Sequence, residues 1–482
     1  MARKKKVPDV TTPKLAPLTP WPYQAADIAA IVKSNGTALV VTEVGGGKTL
    51  VAIEAAKGIN AKSIMVIAPQ GTHMRGWKAT IERQIPGAVV RKIDSSAPGK
   101  AALADLQWDK PGWYLCTPQW FARQTWTGFT PDYAIFDEIH VAGSYGNVTR
   151  AKLHQLQAKA RLGMSGTPLR NKIENAWGIV RWLWPDMMPL TFWHWRMTLK
   201  TEFDRFAPQN RKVVGEHVPG QLMNSLPCYI QHMQREKCCK FHPKGFLEAL
   251  EAPEEIVRTV QMGAKQKKFY KQMEDNYVAW LTTPDENGVL PVIAELPIVA
   301  RGMLRFCALA LPSINTETNK LYFEPDCESP KVDEVLQVLS EINEHSAIVY
   351  THSQKFAAVL TQRLIDKGIT AFEWSGKSTQ KKRDAAMVRF IAGEIRVVVA
   401  QIGAVGTGTD GVQEATSYEI WVSLDDDPTN NVQARGRADR PGQKHRVTRI
   451  EIRSEGTYDD GIVSKQLETL LAVNAALKKE VA

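Results

Sequence analysis

Three short stretches hold residues able to grip and cleave a phosphoanhydride. The first is TEVGGGKT, residues 42–49. Close glycines let backbone N–H groups face an anion, and a helix starting directly behind them adds the positive end of its dipole. Lys48 then meets the β- and γ-phosphates as a point charge, and the Thr49 hydroxyl suits Mg2+. The general pattern GxxxxGK[ST] opens on glycine where this chain has Thr42, so Gly45, Gly46 and Gly47 must supply the flexibility. The second stretch, YAIFDEIH (133–140), delivers two adjacent carboxylates at the end of an apolar run. Asp137 suits the Mg2+ shell, and Glu138 suits the orientation of an attacking water. The third, QARGRADRPGQ (433–443), spaces Arg437 and Arg440 three apart, on one face if the segment is helical. Arginine suits a γ-phosphate whose charge grows in the transition state, an effect worth roughly 10³ to 10⁵ in rate. A glycine-rich turn, an acidic turn or a basic surface helix explains any one stretch alone. None explains all three in this order, so ATP with Mg2+ is the expected ligand pair.

Such residues need strands that end where the chemistry begins. Apolar runs recur at TALVVTEVGGGKT (37–49), SIMVIAPQ (63–70), WYLCTPQ (113–119), YAIFDEIH (133–140) and RLGMSGTP (161–168). Helical patterns such as LVAIEAAKGI lie between them, which predicts a parallel, doubly wound α/β sheet with functional loops at the strand C-termini. The same alternation restarts near residue 330 with SAIVYTHSQ (346–354), TAFEWSGK (370–377), IRVVVAQIG (395–403) and YEIWVSLDD (418–426). The expected organisation is a basic arm over 1–17, a first lobe over 18–185, helical insertions and a linker over 186–327, and a second lobe over 328–482. The segment RWLWPDMMPLTFWHWR (181–196) is expected to form core for the insertion rather than a base-stacking platform. With the arginines in one lobe and the phosphate loop in the other, hydrolysis should require the lobes to close.

With these blocks in place, the sequence resembles helicase superfamily 2, and within it the Snf-type double-stranded DNA translocases that include chromatin remodellers. The resemblance runs from about residue 18 to about 452 and implies two tandem RecA-like lobes. PWPYQ (20–24) is similar to the adenine-reading motif, with Gln24 as the matching residue. IAPQGTHMRGW (67–77) is similar to the motif whose final Trp77 flanks the DNA track, and DEIH to a DEAH-like box. SGTP (165–168) resembles the motif coupling hydrolysis to lobe movement, which gives Ser165 and Thr167, with Gln433 joining them from the last block. VGTGTDG (405–411) resembles a nucleotide-site motif and gives Gly408 and Asp410. The chain departs from the family at Ile139, where a small residue is usual, in the offset of the Gly408 motif, and in QREKCCKFHP, a loose match to an RRxK stretch. Its size resembles the compact versions carried by bacteriophages. A motor that tracks the backbone grips phosphates with hydroxyls, glycine N–H groups and lysines; the candidates here are Thr117, Ser353, Lys355, Gly376 and Lys377.

Composition agrees with a nucleic-acid partner. Sixty-one Lys and Arg against fifty-one Asp and Glu give +10, which favours a polyanion. Double-stranded DNA is the expected partner, with single-stranded DNA as the other option, and the protein is expected to be a monomer. The start, MARKKKVPDVTTPKLAPLTP, puts no apolar core behind its basic residues, and no run approaches the roughly 18 apolar residues of a membrane span. No membrane partner is expected. Six cysteines are too sparse for a disulfide framework, which fits a reducing cytoplasm, that of a bacterial host if a phage encodes the chain. Cys228, His232, Cys238, Cys239 and His242 are zinc-ligating types without a standard zinc spacing, and zinc is not expected. The sequence reading is therefore a DNA-stimulated ATPase moving along duplex DNA. Its rivals are a strand-separating DNA or RNA helicase and an ATP-gated nucleic-acid scaffold with little turnover. Lys48→Ala is expected to abolish phosphate release while leaving the circular dichroism spectrum and melting transition unchanged; a variant with full turnover would refute the phosphate-loop assignment.

Overall fold

In this computed structural model the residues described are 16–69, 72–107, 109–128, 130–204, 208–236, 241–242, 244–247, 249–282, 289–318, 320–405 and 411–478. The first lobe is built on short strands, most of them apolar and buried along their whole length, the pattern of a parallel sheet covered by helices on both faces. They are β1 (Ala38–Thr42), β2 (Ser63–Ile67), β3 (Val90–Lys92), β4 (Gly112–Cys116), β5 (Tyr133–Asp137) and β6 (Ala160–Met164). A hairpin of β7 (Lys200–Phe203) and β8 (Arg211–Gly215) follows, and β9 (Tyr229–His232) then returns to the sheet. The strand order is β3-β4-β2-β5-β6-β1-β9, with every pair parallel. Because β1, β6 and β5 are neighbours, the loops leaving their C-terminal ends share one edge of the sheet. Those loops carry the phosphate-loop glycines, the SGTP segment and the paired carboxylates.

The second lobe opens with β10 (Glu254–Val260), followed by the hairpins β11 (Val278–Thr282) with β12 (Val289–Ile293) and β13 (Ser313–Asn315) with β14 (Lys320–Tyr322). Its remaining strands are β15 (Ala347–Thr351), β16 (Ala371–Trp374), β17 (Val397–Gln401), β18 (Tyr418–Trp421) and β19 (Thr448–Ser454). They pair in the order β10-β19-β18-β15-β17-β16, again all parallel. Serine and threonine hydroxyls start its helices. Ser329, Ser353, Thr379 and Thr457 each accept an N–H from the first turn, satisfying donors the helix itself cannot.

Three boundaries differ from the sequence expectation. The 186–327 segment mixes helices with strands, and two of those strands, β9 and β10, form the edges of the two main sheets. The helix Ala264–Asn276 ends at Tyr277, whose φ of 57° is left-handed, so VAWLT alternates as a half-buried strand instead of continuing the helix. The helix Pro428–Arg435 ends before Gly436, so Arg437 and Arg440 stand on the following turn and not on a helix face. Finally, the last helix, Tyr458–Leu477, returns to the first lobe: Val473, Ala476 and Leu477 join its core, and Tyr229 Oη donates to the Leu477 carbonyl at 2.7 Å. The tryptophan-rich segment packs mainly as core, with Trp182 and Trp195 buried beside Trp177, while Trp193 stays 39% exposed. Leu477→Ala should cost the first lobe about 2–4 kcal/mol, a buried leucine lost with partial collapse of its cavity; an unchanged denaturant midpoint would mean that this helix does not support that lobe.

Candidate active site

The phosphate loop is shaped by its neighbours. Gly45 and Gly47 have φ of 88° and 76°, which only glycine adopts cheaply, and the helix Lys48–Gly58 starts directly behind them. Lys48 Nζ donates to the Thr42 carbonyl at 2.7 Å, which holds the ammonium across the loop. A Cβ on Gly46 would lie 2.2 Å from Thr42 Cγ2, so the threonine that departs from the general pattern itself requires glycine at 46. Gln24 is buried; its Nε2 donates to the Gly46 carbonyl at 3.1 Å and its Oε1 accepts the Trp21 N–H at 2.9 Å. Tyr23 Oη donates to the same Gly46 carbonyl at 2.8 Å. Gln24 thus braces the loop, and a Cβ on Gly47 would strike its amide at 2.2 Å.

The carboxylates follow β5. Asp137 accepts the indole N–H of Trp77 at 2.9 Å, and Trp77 is 1% exposed. Trp77 therefore lines this cleft. A buried indole N–H needs an acceptor, and the nearby carboxylate is one. Glu138 takes a left-handed φ of 56°, which turns its side chain out of the strand. Its Oε2 accepts Ser165 Oγ at 2.8 Å, and His140 Nδ1 lies 3.1 Å from both Glu138 Oε2 and Ser165 Oγ. The Thr167 N–H donates to Ser165 Oγ at 3.1 Å, so the SGTP loop is wired to the glutamate. Ile139 is buried, and its Cδ1 lies 2.7 Å from where a Gly163 Cβ would stand: a bulky residue fits after Glu138 because β6 has glycine opposite.

The facing wall comes from the second lobe. Gln433, Arg437 and Arg440 join Lys48, Thr49, Trp77, Asp137 and Glu138 around a cavity of about 280 Å³. The two walls touch: a Cβ on Gly45 would lie 2.6 Å from Pro441 Cδ, and one on Gly436 would lie 3.0 Å from Val44 Cβ. Arg75 in the first lobe also pairs with Asp384 in the second at 2.5 Å. Larger hollows exist, including one of about 770 Å³ at Asn60 and Asp132. Among the described residues, the inter-lobe cleft brings the glycine loop, paired carboxylates and two arginines together. Its donors and backbone cradle fit a nucleoside triphosphate, and Thr49 with Asp137 supplies the oxygen ligands Mg2+ prefers.

Other sequence candidates fall elsewhere. Gly408 and Asp410 lie outside the described residues, as do Cys238 and Cys239. Cys228 is buried, His232 Nε2 meets Asp27 Oδ2 at 2.8 Å, and the His242 ring packs against Tyr23 at 4.7 Å. Among the described residues no group of three or more His, Cys, Asp or Glu is placed to hold a metal ion. Thr117 and Ser353 cap helices by accepting the N–H groups of Trp120 and Phe356. Lys355 Nζ donates to the Leu321 carbonyl and sits 5.5 Å from the Phe306 ring centroid. Gly376 and Lys377 are exposed. No hydrogen bond or ion pair joins these five residues to one another. No described helix is long and apolar enough to cross a membrane.

Sequence reasoning missed the Trp77–Asp137 bond, the Arg75–Asp384 pair and the residues after β9. A lone tryptophan or arginine carries no spacing signal, and each pair joins residues far apart in the chain. Trp77→Phe should raise the Mg2+ concentration for half-maximal ATP turnover and lower kcat about tenfold, the scale of one hydrogen bond to a charged group. An unchanged Mg2+ titration would show that the indole does not orient Asp137.

Residues 330–442 match the model of the helicase conserved C-terminal domain, and residues 17–170 match that of the type III restriction enzyme res subunit. A SWI/SNF-related matrix-associated actin-dependent regulator of chromatin, subfamily A containing DEAD/H box 1 homolog, from Drosophila melanogaster is 20% identical over 91% of this chain and 58% of its own length. A probable chromatin-remodeling complex ATPase chain from Oryza sativa subsp. japonica is 21% identical over 93% of this chain and 40% of its own. The Sulfolobus solfataricus SWI2/SNF2 ATPase core in complex with dsDNA aligns over 97% of this chain at 16% identity and a TM-score of 0.43. The chain thus spans only about half the length of the curated relatives it matches along most of its own. The chain is thus two parallel-sheet lobes, one matching a restriction-enzyme res-subunit model and the other a helicase C-terminal model, and along most of its length it is similar to the ATPase chains of chromatin remodellers.

Proposed function

We propose that the chain is a DNA-stimulated ATPase that converts lobe closure into movement along duplex DNA. The observation that carries this is the composite cleft: Lys48, Thr49, Asp137 and Glu138 on one lobe face Gln433, Arg437 and Arg440 on the other. In this reading Gly45, Gly46, Gly47 and Lys48 bind the phosphates, and Gln24 holds the loop on the adenine side. Thr49 and Asp137 hold Mg2+, which when bound neutralises charge on the β- and γ-phosphates. Glu138 orients and polarises the attacking water, and Arg437 and Arg440 stabilise charge gathering on the γ-phosphate. Ser165 and Thr167 sense that event, because the hydroxyl bonded to Glu138 also anchors the SGTP loop.

Duplex DNA is favoured by the net charge of +10 and by relatives named for chromatin remodelling. Gly376 and Lys377, exposed on the loop after β16, are the best-placed phosphate contacts of the second lobe. Thr117 and Ser353 accept an N–H as helix caps, which leaves each hydroxyl proton for a DNA phosphate. The logarithm of duplex affinity should fall linearly with the logarithm of salt concentration, and affinity should depend little on sequence. In the same reading the protein is a phage-encoded monomer acting in the cytoplasm of a bacterial host. A second reading, a strand-separating helicase, is favoured by the match to the helicase conserved C-terminal domain over 330–442.

The test is steady-state phosphate release with no nucleic acid, single-stranded DNA, duplex DNA and duplex RNA, using Glu138→Gln as the blank. Stimulation by duplex DNA, with triplex displacement and without unwinding of a forked substrate, is expected. Stimulation by single strands or RNA would hand the assignment to the helicase reading.

A further inference from the structure

Strand β9 belongs to none of the phosphate, carboxylate or arginine blocks, yet the residues behind it touch both walls of the cleft. The parallel register Thr42↔His232 sets the chain leaving β9 beside the chain leaving β1. Gln234 N donates to Glu43 Oε2 at 2.5 Å, and Gln234 Nε2 donates to the Val44 carbonyl at 2.8 Å. This fastens the segment to the base of the phosphate loop. Glu43 is partly buried, and desolvation pushes its carboxyl pKa up, so the N–H bond offsets part of that cost.

Arg235 then reaches across. Its Nη2 donates to Asp439 Oδ1 at 2.6 Å and its Nε to Asp439 Oδ2 at 3.2 Å, a two-point fork. Asp439 lies on the turn between Arg437 and Arg440. The same guanidinium donates to the Leu250 carbonyl at 2.8 Å and the Glu251 carbonyl at 3.0 Å, so its orientation is set independently of the aspartate. The Arg235 and Asp439 side chains are 26% and 11% exposed, against 56% and 34% for the inter-lobe pair Arg75–Asp384. The drier pair is the less screened and the better able to fix a position.

Building on the ATPase reading, we infer that Arg235 is a positioning residue for turnover: by gripping Asp439 it sets where Arg437 and Arg440 stand against the phosphate loop. It touches no substrate atom. The first lobe, through its own edge strand, thus determines the placement of arginines that the second lobe supplies. Misplacing such a group by about 1 Å can cost on the order of a hundredfold in rate.

The experiment is ATP turnover with duplex DNA, together with binding of a fluorescent ATP analogue, in the full chain, Arg235→Ala, Asp439→Asn and the double variant. Each single change should lower kcat about tenfold or more while KM and analogue affinity stay within roughly threefold. The double variant should be no worse than the poorer single, because both changes break the same link. Arg235→Ala also removes the donor to the Leu250 and Glu251 carbonyls; Asp439→Asn leaves those bonds in place and is the decisive single. Wild-type kcat in Asp439→Asn, or losses that multiply in the double variant, overturns the inference alone. An unmodified chain without turnover overturns the ATPase reading and this inference with it.

Discussion

The parallel pairing of β1 and β5 on either side of β6 is the constraint on which the rest of the cleft depends. The register Val40↔Met164 and Asp137↔Met164 ends β5 and β6 at one level and carries β1 on past them to Thr42. A shift of one residue in any of them would turn its side chains to the opposite face of the sheet and move the loop that follows. From that common edge come Lys48, Glu138 and Ser165, and Ser165 can donate to Glu138 because β5 and β6 are adjacent. Burial makes the register stiff. Every residue of β1 and β5 is buried, so a slip would expose or clash an apolar side chain at each position.

The polar network above this edge has few alternatives. Asp137 is bonded to Trp77, Glu138 to Ser165, and His140 closes a triangle with the last two. In a site of low dielectric such bonds are stronger than in water, and breaking one exposes the cost of an unpaired buried group. A movement at Glu138 is therefore passed to the SGTP loop rather than absorbed. The facing arginines follow the end of the helix Pro428–Arg435. They stand on a turn that contacts the first lobe through Gly436 and Pro441. The two walls depend on each other for their shape.

Much of this was legible in the sequence because strand, glycine loop and helix leave local signatures. The nine strands expected from apolar runs are present, and the phosphate loop, the carboxylates and the arginine turn meet in one cleft as their spacing implied. What was not legible was set by long-range contact. Nothing local marks Tyr229–His232 as the strand that closes the first sheet, or Leu477 as part of that lobe's core. The pattern of KQKKFYKQMEDNYVAWL (265–281) is helical throughout, because the left-handed turn at Tyr277 has no glycine to announce it. The bond of Trp77 to Asp137 leaves no local signal because the two stand sixty positions apart. Thr42 looked like a defect in the phosphate-loop pattern, and the structure shows it compensated by Gly46.

The central claim is that the ATP site is shared between the lobes, with chemistry completed from the second. The most direct test is phosphate release by Arg437→Ala and Arg440→Ala in the presence of duplex DNA, with nucleotide affinity measured on the same proteins. The account predicts turnover reduced by about 10³-fold or more in at least one variant, the scale of a lost arginine finger, with nucleotide still bound. Turnover within a fewfold of the unmodified chain in both variants would contradict it, and would place the whole of the chemistry on the first lobe.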